Sequence, residues 1–300
     1  MTQSPPQNAL VGILWMIVTG LCFVGVTALV KVLGTRLPAA QTAFIRYAYG
    51  IILILPVMKH VLAANLTRMQ LGMFGLRGAV HTVGVILWFF AMARIPIADV
   101  TAMNYVSPVY VTLAAALFLG EKLAARRMIA VAFALIGALV ILRPGFRELN
   151  PGHIAMIFCP IAFGASYILA KRATNDLSAT VVVAMLTITV SIGLAPLAYS
   201  VWISPTLFEV AILAGVAVLA TFAHYSMSLA FQAAPVGVTQ PATFLQLVWA
   251  VMLGSLVFGE AIDPFVILGG AIIVASVSFI AWREAVLKRR QRTPQMAQTL

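Results

Sequence analysis

Residues 118–121 read FLGE and residues 257–260 read VFGE, and each tetrapeptide closes a long apolar run. The two lie 139 positions apart, and Pro96 and Pro235 are separated by the same interval. Nearer the N-terminus, a shift of 140 places Gly12 on Gly152, Met16 on Met156, Phe23 on Phe163, Lys31 on Lys171 and Leu37 on Leu177. Matches at a nearly fixed interval along the chain read as one structural unit written twice. The apolar runs between these landmarks say what the unit is.

Broken at charged, Pro and Gly-rich punctuation, the chain gives ten apolar spans, near 9–31, 39–58, 70–92, 98–119, 124–142, 152–170, 179–201, 207–232, 237–258 and 264–282. Each is close to the roughly 20 residues that a helix needs to cross a hydrocarbon core about 30 Å thick. Composition agrees: 62% of the 300 residues are hydrophobic and 9% charged, far below the roughly 25% charged residues of a soluble domain. The reading is an all-α integral membrane protein with ten transmembrane helices. Five is an odd number, so the second copy enters from the opposite side, giving two inverted-topology five-helix repeats. They occupy residues 1–148 and 149–285, and a basic tail over 286–300 is expected to be disordered.

The net charge of +11 is carried mostly by connections. One set of connections, with the tail, holds twelve Lys and Arg, among them Lys59, Arg68, Lys122, Lys171 and Arg292. The other set holds five, Lys31, Arg36, Arg94, Arg143 and Arg147. The positive-inside rule then places both termini in the cytoplasm, with the chain multi-pass in the cytoplasmic (inner) membrane. Cations dispersed through loops make no face for a nucleic acid, so the lipid bilayer and a small-molecule substrate are the expected partners. The opening MTQSPPQNAL has no basic residue before the first apolar run, so a cleaved signal is not expected and the first span should remain. Cys22 and Cys159 stand alone in their spans, which points to packing rather than a disulfide, and no metal or cofactor is expected.

The spans carry polar stripes. In RGAVHTVGVILW, residues 77–88, the spacing i, i+4, i+7, i+11 puts Arg77, His81, Gly84 and Trp88 on one helix face. An ionisable group in hydrocarbon is costly unless it faces the bundle interior or a wet cavity, so this face should point inward. The repeat partner of that span carries Thr221, Tyr225, Ser228 and Gln232 at the same spacing, with His224 beside them. The fourth span adds Thr101, Asn104, Tyr105, Pro108 and Thr112, and the ninth adds Thr239, Thr243 and Gln246. Trp15, Thr19 and Cys22 on the first span, and Ser166 with Tyr167 on the sixth, complete a candidate lining. Pro108, Pro160, Pro196 and Pro241 lie within spans, where each frees a backbone carbonyl and can kink its helix.

The segments SPVYVTLAAALFLGEKL (107–123) and MIAVAFALIGALVIL (128–142), with their weaker copies LQLVWAVMLGSLVFGEAI (245–262) and VILGGAIIVASVSFI (266–280), resemble the drug/metabolite transporter (DMT) superfamily, in particular its EamA-type exporters. Pro108 and Val109 of the first copy become Leu247 and Val248 in the second, a departure from symmetry. The resemblance implies a cavity lined by spans one to four and six to nine, with spans five and ten at the periphery. It also implies export of amino acids and related metabolites, closest in pattern to aromatic and other apolar amino acids. Glu121 and Glu260 are then helix-end landmarks rather than substrate ligands.

The expected function is a secondary transporter that exports such amino acids by alternating access around a central cavity. Trp88, Tyr105 and Tyr225 would pack the substrate side chain, while His81, Asn104, Ser228 and Gln246 would hold its ammonium and carboxylate. His81 is a candidate proton contact and Arg77 an anion contact, so protons are a candidate partner. One alternative is an organic-phosphate or nucleotide-sugar exchanger using Arg46, Arg77 and Lys31. A remote one is an intramembrane enzyme, for which His81 and His224 are the acid/base candidates, without a spaced carboxylate or nucleophile motif.

Overall fold

The computed structural model describes residues 8–107, 109–110, 125–146, 148–234, 239 and 242–297. Its helices are α1 (Ala9–Leu33), α2 (Ala39–Ile54), α3 (Met58–Ala63), α4 (Arg68–Met92), α5 (Ile97–Asn104) and α6 (Ala125–Leu142), then α7 (Pro151–Ala173), α8 (Ala179–Ser200), α9 (Leu207–Ala233), α10 (Leu245–Phe258) and α11 (Pro264–Ala297). A single 3-10 turn, Leu55–Val57, joins α2 to α3, and together they make one 25-residue apolar span. Among the described residues, six spans are long and apolar enough to cross a membrane by length and composition. Met128–Leu142, Leu245–Phe258 and Pro264–Phe279 are shorter apolar helices, and α5 covers the first turns of the expected fourth span. Pro108, Thr112, Glu121, Pro235 and Pro241 lie outside the described residues. Helix α11 extends to Ala297.

Local sequence starts these helices in matched ways. Thr67 caps α4 and Thr206 caps α9, each as half of a capping box completed three residues later by Gln70 or Glu209. Gly259, at φ 63°, ends α10 in the left-handed conformation that a glycine adopts without strain. Large apolar side chains such as Leu14, Ile52, Leu71, Ile136, Ile192 and Leu256 are exposed on the outside, while Arg46, Arg77, His81, Ser166 and His224 are buried. That distribution suits lipid around the bundle and a polar interior.

The packing exchanges the copies. Helix α1 lies along α9, and its repeat partner α7 lies along α4, the repeat partner of α9. Helix α2 packs on its own counterpart α8, α5 on α10, and α6 on α11. The partners run in opposite directions. Lys31, in the last turn of α1, donates to the carbonyl of Ile95 at 3.0 Å, and Gly152, in the first turn of α7, is backed against the same residue. At the other end Gly12, in the first turn of α1, is backed against Ala234, and Lys171, near the end of α7, donates to the Phe231 carbonyl.

One end of the bundle is cross-linked by charge. Where α1 and α4 finish and α7 and α9 begin, Lys31 meets Glu260, Arg36 meets Glu209, Arg143 meets Asp263 and Asp99 meets His153. Each contact joins the first copy to the second. Glu260 also accepts the Ile97 amide at 3.1 Å, so this landmark ties a helix end, as expected of it. The hydrogen bond that Arg36 donates to Glu209 pushes the Arg36 pKa further up. The Asn150 amide donates to Nδ1 of His153, and Nε2 of the same ring stands 3.0 Å from Asp99.

Candidate functional site

The inward face of α4 builds the centre of the molecule. Arg77, His81 and Trp88 are all buried on it, and Gly84 lets α7 approach, since a Cβ there would stand 2.7 Å from the Phe163 ring. His81 shares a hydrogen bond of 2.9 Å between Nδ1 and the Ser166 hydroxyl of α7. Its ring lies 5.0 Å from that of Phe163 and 5.3 Å from that of His224 on α9, centre to centre. Phe23 of α1 approaches His224 at 5.3 Å and Trp88 at 5.7 Å, and Phe163 approaches Trp88 at 5.8 Å. Phe23 and Phe163 are repeat equivalents. The two histidines and the indole therefore sit between two symmetry-related phenyl rings.

Cations border this aromatic centre. Arg46 of α2 lays its guanidinium 3.7 Å over the ring of neighbouring Tyr47, whose ring meets His81 edge-on at 6.4 Å. Arg77 donates from Nη1 to the Val182 carbonyl at 3.0 Å. Several buried atoms have no hydrogen-bond partner: Arg46 Nη1, Arg77 Nε, Thr221 Oγ1 and His224 Nδ1.

The other candidates divide. Tyr105 is buried and donates from its hydroxyl to the Thr243 carbonyl at 2.8 Å, with its ring against Phe244. Asn104 beside it is half-buried and its Oδ1 lacks a partner. Gln246 sits against Gly20 of α1. Ser228 and Thr101 are buried, but each hydroxyl bonds the carbonyl four residues back, to His224 and Ile97, so both are satisfied within their own helices. Tyr225 is 36% exposed and points away from the cluster. It follows His224 by one residue, or about 100° around the helix, and His224 holds the inward direction. Lys31 is engaged at the charged end with Glu260 and Ile95, away from the centre. Thr19 bonds Ser226 across the α1–α9 seam at 2.8 Å, and the Cys159 thiol donates to the Gly84 carbonyl, a packing role. The sequence stripes missed Tyr47, Phe163 as a wall, and the Asp99–His153 contact. For Phe23 and Phe163 the signal available was their repeat match.

The EamA-like transporter family matches residues 10–143 and again residues 150–282. A riboflavin transporter of Vibrio cholerae is 32% identical over 97% of this chain and 99% of its own length. An S-adenosylmethionine uptake transporter of Rickettsia prowazekii is 27% identical, covering 85% of this chain and 86% of its own. A pseudopaline exporter of Pseudomonas aeruginosa is 27% identical over 88% and 94%. None of these three relatives is named for an aromatic amino acid.

Proposed function

The chain belongs to the EamA-like transporter family, a multi-pass protein of the cytoplasmic membrane and not an enzyme, and from that premise we propose that its central cluster passes flat aromatic metabolites across the bilayer. Flavins and aromatic amino acids both fall within this class. The observation that carries the reading is the ring-lined centre, in which Phe23 and Phe163 flank His81, His224 and Trp88. Offset and edge-on ring contacts favour an aromatic guest over an aliphatic one of equal size. Unpartnered polar atoms at the border supply hydrogen bonds to its heteroatoms. Antiparallel repeats that exchange partners support alternating access by rocking of one half against the other. The excess of basic residues in the connections at the end opposite the charged cross-links supports termini in the cytoplasm.

The export of aromatic and other apolar amino acids is the narrower form of this reading. It rests on the resemblance, while one relative is an uptake transporter and another an exporter. Counterflow in liposomes tests the class without presupposing a direction. Labelled riboflavin, phenylalanine and tryptophan are expected to exchange and leucine to lag, and Trp88→Ala is expected to slow aromatic exchange by about tenfold, the scale of one lost ring contact of about 1.4 kcal/mol. Equal exchange of leucine and the aromatic probes would remove the aromatic class. Repeating the assay under an imposed pH gradient tests His81 as a proton contact: a rate that ignores the gradient would leave facilitated diffusion.

A further inference from the structure

Among the described residues, the interior of the spans holds two cations, Arg46 and Arg77, and no carboxylate. The other described Lys and Arg lie in connections or toward helix ends, as do the described Asp and Glu. Arg46 is 3% exposed and Arg77 1%. Neither makes an ion pair among the described residues, and each has a guanidinium nitrogen without a hydrogen-bond partner. A buried charge in that state is strongly unfavourable unless a counter-charge arrives.

The second copy indicates that the frame does not require these arginines. Helices α2 and α8 begin at residues 39 and 179, so Arg46 corresponds to Leu186. The capping threonines 67 and 206 align α4 with α9, so Arg77 corresponds to Val216. Leu186 and Val216 are buried apolar side chains. Equivalent helices thus close on leucine and valine in one copy and on arginine in the other. Beside the guanidiniums stands a ring wall: Tyr47 under Arg46, His81 against Tyr47, and Phe163 against His81 and stacked on Tyr167 at 5.8 Å.

We propose that Arg46 and Arg77 form an anion seat, so that the preferred substrate is a flat aromatic molecule carrying an ionised phosphate or carboxylate. This deepens the transport reading and rests on it. Guanidinium forks match both oxyanions, and charge-assisted bonds made out of water are the strong ones. The ring of the same molecule then lies along Tyr47, His81 and Phe163. An uncharged ring gains the wall and leaves both cations unmatched.

Three probes separate the possibilities: riboflavin, riboflavin 5′-phosphate and phenylpyruvate. With the full-length protein in detergent, the two anions are expected to raise the thermal midpoint and riboflavin to leave it nearly unchanged. The larger shift identifies phosphate or carboxylate as the preferred group. In liposomes the anions are expected to exchange faster than riboflavin by about tenfold or more, the scale of one charge-assisted hydrogen bond. Arg46→Leu and Arg77→Val, which install the residues of the second copy, are expected to lose the anion-induced shift. Without ligand they should melt above wild type, by about 3 °C or more, because an unmatched buried charge is gone. Arginines that merely brace the helices would give variants melting below wild type and still responding to anions, which would overturn the proposal. Riboflavin exchange undiminished in both variants, with no anion preference in wild type, would also overturn it and leave the transport reading standing. An anion shift that both variants abolish, without exchange of any probe, would keep the seat and remove the transport reading. Arg46→Lys and Arg77→Lys retain the charge but lose the fork, and are expected to shift less with either anion than wild type.

Discussion

The two copies of the repeat agree in how their helices begin and differ in what the helices carry at mid-depth. Thr67 and Thr206 cap the third helix of each copy in the same way. Lys31 and Lys171 each reach a carbonyl beyond or near the end of a neighbouring helix, and Phe23 and Phe163 each face a histidine. Arg46, Arg77 and His81 have no such counterparts: Leu186, Val216 and Ala220 stand in their places, all buried. Capping and close helix approach are demands of the frame, and a frame built twice meets them twice. Charge inside a membrane bundle is a cost that packing does not ask for, so its presence in one copy alone marks the interior of the first copy as the chemically committed one.

Placing a charge in the wrong copy is the severest way to break that comparison. Leu186 is 1% exposed within the main core, and Leu186→Arg would bury a third cation without an anion. The expected loss is about 4 kcal/mol or more, seen as a collapse of the folded, monodisperse yield in detergent. Normal yield and midpoint would mean that the interior accepts charge freely, and the asymmetry would lose its meaning. Next in size is the duplicated phenyl pair. Phe163→Ala is expected to cost about 3 kcal/mol through lost contacts around a buried ring. Phe23 is only half-buried, so Phe23→Ala should cost roughly half as much, while both slow aromatic counterflow. A transport defect from Phe163 alone would show that the guest lies on one side of the pseudo-twofold axis.

Much of this is legible in the sequence alone. Apolar length and punctuation locate the helices, and the recurrence of Phe23 as Phe163 and Lys31 as Lys171 locates the repeat. The stripe of Arg77, His81 and Trp88 was legible because a helix fixes which residues share a face. In the companion stripe Tyr225 is exposed and the adjacent His224 is buried, because polarity alone does not set the phase of a helix in its bundle. Ser228 reads as a candidate ligand and Thr101 as part of a polar stripe because the bond of a hydroxyl to its own helix four residues back leaves no mark in sequence. Asp99 and His153 are 54 residues apart in different copies, and only the exchange of partners between copies brings them to 3.0 Å. Phe163 carries no polar signal among so many apolar neighbours, and Tyr47 falls on none of the stripes that helical spacing picks out.

The finest test of the comparison lies in the caps. Thr67→Ala and Thr206→Ala remove equivalent hydroxyls, and a lost threonine cap costs about 1 kcal/mol. The boxes are not loaded equally. At Thr67 the box is exposed, and no described contact links it to the other copy. At Thr206 the hydroxyl donates to Glu209 Oε2 at 2.9 Å, and the same carboxylate receives Arg36 from the opposite copy. Removing the hydroxyl therefore loosens both a helix start and the acceptor that joins the halves, so Thr206→Ala should lower the thermal midpoint further than Thr67→Ala. The double variant Thr206→Ala with Arg36→Gln should then lose less than the sum of the single losses, because both act on one carboxylate. Equal losses at the two threonines, with strict additivity at Arg36, would mean that the cap and the cross-link are independent and that the charged end owes its cohesion to the Lys31, Asp99 and Arg143 contacts instead.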